Sequence, residues 1–280
     1  MTPHGSSPDH DGDAEPDDAT PLGSSGWGRR ASRPLVLAHR GARREAPDNT
    51  LAAFTAARRL GADGVELDVR RTRDGELVVH HDPDLPGGPV LADEELVVLR
   101  RLAPHVPTLV EALDTCAGLL VNVEVKNHPR EPDFDPSARV VDDLVDLLAS
   151  RPGADRVLVS SFHLPTIDRV RARAAHLPTA YVFKVGIGID RVVDSVADAG
   201  HRALHPNLWA VRGRRGAALV ARAVERALLV NVWTVNRPAD AVRLARLGVD
   251  GLVTDAPDVV RDALAGCDQA GSTTERASGT

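Results

Sequence analysis

The sequence predicts an α/β fold, a single-domain TIM (β/α)8 barrel behind a disordered N-terminal tail, and three observations predict it. Apolar runs of strand length alternate with Ala-, Leu-, Val- and Arg-rich stretches of helical period, the pattern of βα units repeated on a parallel sheet. Eight such runs occur, the number that closes a barrel. The 280 residues, 42% of them hydrophobic, suffice for one sizeable core of that kind.

In chain order, residues 1–33 come first, rich in Asp, Ser, Gly and Pro, with Asp9, Asp11, Asp13, Glu15, Asp17 and Asp18 clustered and little to bury. Burial there cannot offset ordering entropy, so disorder is expected. The barrel domain is expected over 34–266, and the small polar residues of 267–280 read as a second disordered tail. Strands are predicted at 35–39, 64–68, 119–125, 156–160, 179–183, 203–205, 228–235 and 251–253. Helices are predicted to begin near Thr50, Thr108, Pro136, Leu164, Asp190, Gly216, Pro238 and Pro257, several at residues that suit a helix start. A further apolar run, 77–81, follows the turn pair Asp74-Gly75 and reads as a short strand inside the second βα connection. A doubly wound open sheet is the alternative architecture, and no Gly-rich phosphate loop supports it.

Composition narrows the partners. A net charge of −6 gives no broad positive field, so no nucleic-acid partner is expected. No stretch approaches the roughly 20 apolar residues of a membrane span, and the first thirty residues lack a signal peptide's apolar core. The run after Arg29-Arg30 is too short for twin-arginine export. A cytoplasmic protein without an integral membrane segment is expected. Cys116 and Cys267 cannot build a disulfide framework and read as free thiols in a reducing compartment.

Candidate chemistry follows from strand parity. Side chains alternate across a strand, so Glu66 and Asp68 share one face while Val65, Leu67 and Val69 share the other. The same alternation puts Asn122, Glu124 and Lys126 inward and Val121, Val123 and Val125 against the helices. Two carboxylates about 4 Å apart repel by roughly 4 kcal/mol at an effective dielectric near 20, so three that converge call for a cation. One divalent metal ion held by Glu66, Asp68 and Glu124 is the expectation; separate pairing with Lys126 or arginines is the alternative. His39 follows Leu35 and Leu37, and His81 follows Leu77 and Val79, both at the ends of apolar runs where a barrel keeps its site. An imidazole titrates near neutrality and can give or take a proton. The other histidines read as structural, with His205 a weaker candidate for lining the pocket.

Ordered motifs then make the pattern specific: His39-Arg40-Gly41, Pro47-Asp48-Asn49-Thr50, the run from Gly61 to Val69, Thr72-Arg73-Asp74-Gly75 and Leu77 to Asp82. Pro107-Thr108-Leu109, Asn122-Val123-Glu124-Val125-Lys126, Ser160-Ser161-Phe162, Trp233-Thr234-Val235-Asn236 and Asp250 to Pro257 continue it. Over about residues 35–265 the chain resembles the glycerophosphodiester phosphodiesterase family. The resemblance implies a TIM barrel, hydrolysis of a small-molecule glycerophosphodiester substrate to an alcohol and glycerol 3-phosphate, and a calcium or magnesium ion. It matches His39 and His81 to the acid/base pair and Glu66, Asp68 and Glu124 to the metal ligands. Arg40 and Lys126 match positions near the phosphate, and Trp233 an aromatic that lines the site. Two departures stand out. Asp48 replaces a usual Glu, and the short segment between Asp82 and Pro107 lacks the Arg and Thr that often follow the His-Asp pair.

Overall fold

The computed structural model describes residues 26–30, 32–185 and 188–275. The strands are β1 (Leu35–His39), β2 (Gly64–Arg71), β3 (Leu77–Val79), β4 (Leu120–Val125), β5 (Val157–Ser161), β6 (Thr179–Phe183), β7 (Ala203–Pro206), β8 (Leu229–Val232) and β9 (Gly251–Thr254). All but β3 run parallel, in the order β1-β9-β8-β7-β6-β5-β4-β2, and β2 pairs back with β1, so the sheet closes into an eight-stranded barrel. The α-helices are α1 (Leu51–Arg59), α2 (Leu96–Leu102), α3 (Leu109–Thr115), α4 (Arg139–Ala149), α5 (Leu164–Arg173), α6 (Ile189–Asp198), α7 (Gly213–Glu225), α8 (Pro238–Leu247) and α9 (Pro257–Glu275).

Local chemistry starts several helices where the sequence signals them. The Thr50 hydroxyl accepts the Ala53 N–H at 3.2 Å to open α1. At α3 Thr108 and Glu111 form a reciprocal capping box, and proline begins both α8 and α9. Strand parity then builds two apolar layers. Outward-facing Val65, Leu67, Val69, Val121 and Val123 pack with Phe54, Leu109 and Leu144 of the helices, while inward-facing Leu35, Leu37, Leu120, Leu158 and Leu229 fill the barrel floor. Each such fully buried Leu or Val contributes roughly 1.5–3 kcal/mol. Gly64 is required at that floor, because a Cβ there would lie 2.4 Å from the Leu120 carbonyl oxygen.

Three expectations are corrected. Residues 26–30, 32 and 33 fall in the segment expected to be disordered, yet Trp27 is 2% exposed and its indole N–H donates to the Arg156 carbonyl at 2.8 Å. Arg29 and Arg33 pair with Asp250 and Asp63 at 3.2 and 2.6 Å. One indole carries enough apolar surface to dock a segment whose average composition is polar. The expected disorder of 1–25 and 276–280 lies outside the described residues, while α9 carries the backbone helix past 266 to Glu275. Third, β3 ends at Val79, so His81 stands in the following turn rather than on a strand. The 83–106 connection, where the sequence signals no helix start, holds α2, whose Leu99 closes a small separate core with Val78, Leu85 and Leu91.

Cys116 is a free thiol, pushed up to about 12 by burial. Among the described residues, no helix is long and apolar enough to cross a membrane.

Candidate active site

The C-terminal ends of the strands bring the expected residues together. Glu66 and Asp68 of β2 and Glu124 of β4 are buried, and one carboxylate oxygen from each lies within 4.8 Å of the others. Register explains this: Asp68 faces Glu124 directly, and Glu66 faces Asn122. The Lys126 ammonium contacts Asp68 at 2.9 Å and also Glu124. Arg40 Nε lies 3.2 Å from Asp68, and the Asn49 amide donates to the same carboxylate at 2.8 Å. Arg40 takes a left-handed φ of 56°, which turns its backbone N–H onto Glu66 Oε2 at 3.0 Å. Such a φ is uncommon for a residue with a Cβ, and strain of this kind collects at functional sites.

Three carboxylates thus face two cations. Burial, then Asp68 and Glu124, raise the Glu66 carboxyl well above the usual range. Burial also opposes the Asp68 charge, but Lys126 and Arg40 outweigh it and hold Asp68 low. Lys126 is raised, because Asp68 and Glu124 overcome its burial. Glu66 is therefore the carboxylate whose charge the two cations compensate least. An oxygen-only, buried, electron-rich triad fits a hard divalent cation, and the nearby Asn122 side-chain oxygen is buried without a hydrogen-bond partner.

The two histidines stand at the rim of the triad. His39 Nδ1 lies 2.7 Å from Asp255 Oδ1, which leaves Nε2 facing Glu66 at 4.0 Å. Asp255 is itself held by the Asn236 amide at 2.6 Å. His81 Nδ1 contacts Asp82 at 2.7 Å, and burial followed by the Lys126 charge pushes the His81 ring below its ordinary value. His81 reaches the site because the turn after β3 is fixed: the Arg70 guanidinium, 1% exposed, donates to the His81 carbonyl at 2.6 Å. His80 turns to the Asp82 carbonyl at 2.9 Å instead. The Trp233 indole N–H donates to the His205 carbonyl at 2.8 Å, and its ring meets Phe162 edge-on at 5.6 Å.

One cavity of about 240 Å³ is lined by all eight expected residues: His39, Arg40, Glu66, Asp68, His81, Glu124, Lys126 and Trp233. His205 lines it too, held neutral by burial at about 3. A larger groove of about 470 Å³ lies beside it along Arg71, Asp133 and Arg139, but its arginines are paired with carboxylates and no metal-competent cluster lines it. Chemistry, not volume, picks the smaller cavity. Sequence reasoning gave no role to Asp255, Asn49, Asn122, Phe162 or Lys184. Asp255 was legible in principle as an acid just past a strand end, where a barrel's site residues sit.

Comparison with known proteins agrees with this geometry. The Glycerophosphoryl diester phosphodiesterase family matches residues 39–259. A glycerophosphodiester phosphodiesterase of Caldanaerobacter subterraneus subsp. tengcongensis is 29% identical over 250 residues, 81% of this chain and 96% of the relative. One of Bacillus altitudinis is 31% identical over 244 residues, 80% of this chain and 95% of the relative. The crystal structure of a glycerophosphodiester phosphodiesterase from Thermotoga maritima is 26% identical and superposes with a TM-score of 0.72, over 82% of this chain and 97% of that one. With the barrel, the buried triad and the family match over most of its length in agreement, the chain belongs to the glycerophosphoryl diester phosphodiesterase family, enzymes that hydrolyse phosphoric diesters.

Proposed function

We propose that this hydrolase cleaves glycerophosphodiesters to an alcohol and sn-glycerol 3-phosphate, with His39 and His81 as its acid/base pair. The observation that carries the reading is the convergence of two imidazoles, each with Nδ1 against an aspartate, on one cavity with a buried carboxylate triad. Glu66, Asp68 and Glu124 would hold one divalent cation, calcium or magnesium, which when bound supplies Lewis-acid stabilisation of charge on the phosphoryl oxygens.

The chain's own residues do the rest. Arg40 and Lys126 offer charge-assisted donors to the phosphate, and Trp233 forms the apolar side of the pocket. Asp255 holds His39 with Nε2 toward the cavity, so this nitrogen can exchange a proton with the reacting oxygen. His81, with Nδ1 turned to Asp82, presents its other nitrogen in the same way. One ring removes a proton from the nucleophile, either water or the substrate's own neighbouring hydroxyl, while the other protonates the departing alkoxide; where the hydroxyl attacks, water then opens the cyclic phosphate to glycerol 3-phosphate. A cytoplasmic location belongs to the same proposal and accords with the free, buried Cys116 thiol.

The test is an assay of the purified protein on a panel of glycerophosphodiesters, with glycerol 3-phosphate measured with and without a chelator. Release of glycerol 3-phosphate that chelation abolishes and calcium or magnesium restores is the expected result. Equal turnover in chelator would sink the metal assignment, and no release from any diester would sink the substrate class.

A further inference from the structure

The lip of the barrel mouth at β6 and β7 carries a feature that the reaction does not use. After β7 a turn at Leu208–Val211 leaves Trp209 61% exposed, one of only three tryptophans in the chain. The Arg212 guanidinium stacks on its ring, 3.6 Å from the centroid. Arg214 and Arg215 follow in the first turn of α7, both exposed. Across the lip, Phe183 of β6 pairs with Pro206 of β7, and Lys184 and Val185 come next, the latter 62% exposed.

Two aspects set this lip apart. Many arginines pair with a carboxylate, as Arg71, Arg169 and Arg222 do, whereas Arg212, Arg214 and Arg215 cluster within one stretch beside an exposed indole and meet none among the described residues. The first turn of α7 carries no acidic residue, and Arg212 at its N-cap makes no side-chain cap. Cations there oppose the helix dipole, so local helix stability alone does not account for them. The lip is also held firmly against the site: the Leu208 N–H donates to the Trp233 carbonyl at 2.6 Å, and Arg243 holds the Val211 carbonyl at 3.1 Å.

We infer that this lip docks on an anionic lipid surface, with Trp209 and Val185 entering the headgroup layer and Arg212, Arg214 and Arg215 facing acidic headgroups. Charge complementarity argues for this occupant. The net charge of −6 comes from the six acids of residues 1–25, so over the rest of the chain acids and bases balance, and uncompensated cations gathered around an amphipathic indole are what an anionic bilayer attracts. Docking there would hold the cavity mouth close to the bilayer without any spanning helix.

The experiment is partitioning of the whole chain onto vesicles of phosphatidylcholine alone and of phosphatidylcholine with added phosphatidylglycerol, at low and raised salt. Trp209 reports directly, because Trp27 is buried and Trp233 is packed in the cavity. Expected are binding to the anionic vesicles only, a blue shift of tryptophan emission on binding, and loss of both at high salt. Arg212→Gln, Arg214→Gln and Arg215→Gln combined should weaken partitioning about 10²-fold. Trp209→Ala should remove the blue shift. Hydrolysis of a soluble diester by both variants should match the parent, which shows that they fold. Equal binding to neutral vesicles, no binding to either kind, or parental binding by the triple variant would overturn the inference. So would retention of a single-stranded RNA homopolymer without retention by vesicles.

Discussion

The two ends of the barrel handle charge in opposite ways. At the floor, Arg29 meets Asp250, and Arg30 and Arg33 meet Asp63, while Trp27 covers a layer of leucines. At the mouth, three buried carboxylates share two cations, and Asn122 keeps a buried oxygen without a partner. The floor is built to hold; the mouth is built to receive. A buried charge surplus is costly unless a ligand completes it, so the end that lacks compensation is the one whose triad could hold a cation.

The sharpest way to break this contrast is to substitute both ends and compare. His39→Ala or His81→Ala should lower kcat by roughly 10²-fold or more with metal affinity largely kept. Glu124→Gln should instead weaken metal binding, with lost activity partly recovered as metal is raised. Metal titrations of turnover separate the two behaviours, and full turnover in both histidine variants would end the acid/base assignment.

At the floor, Trp27→Ala should destabilise the fold by about 3 kcal/mol and leave kcat/KM near the parental value. Denaturant unfolding read beside kinetics checks it; an unchanged midpoint would return residues 26–33 to the status of a tail.

Acid sharpens the comparison further. Burial would raise the Asp63 carboxyl, but the hydrogen bonds from Arg33 and the Val36 N–H outweigh it, so its folded pKa is depressed. Its stabilisation is therefore complete above an unfolded value of about 3.9 and is lost as pH falls through the folded value. Asp63→Asn should be less stable than the parent at neutral pH and show a shallower loss below about pH 4. Parallel Tm-versus-pH curves for the two proteins would contradict the pairing. The smallest effect is expected for His80→Ala, whose ring faces the Asp82 carbonyl, so its kcat should stay within about twofold of the parent.

Much of the fold was legible because period is a local property. The alternation of Val65, Leu67 and Val69 with Glu66 and Asp68 already assigned one face to helices and one to the mouth, and all eight barrel strands lie where that pattern placed them, within a few residues. The same parity led from Glu124 to Lys126, the residue just past the end of β4. It failed for His81, which reaches the cavity through a turn gripped by Arg70, a contact between residues 11 apart that no strand period encodes. Asp255 escaped for a similar reason: its partner His39 lies 216 residues away, and only barrel closure of β1 against β9 brings them to 2.7 Å. Trp27 was lost in a polar average, since its value depends on a floor assembled from Leu35, Leu120 and Leu229 of three distant strands. The sequence by itself determined the repeat, the inward carboxylates and the family, because each is written in neighbouring residues. Tertiary structure alone decided the partner of His39, the plugged floor and which arginines stay uncompensated, because charge balance and burial are sums over residues that only the closed barrel makes neighbours.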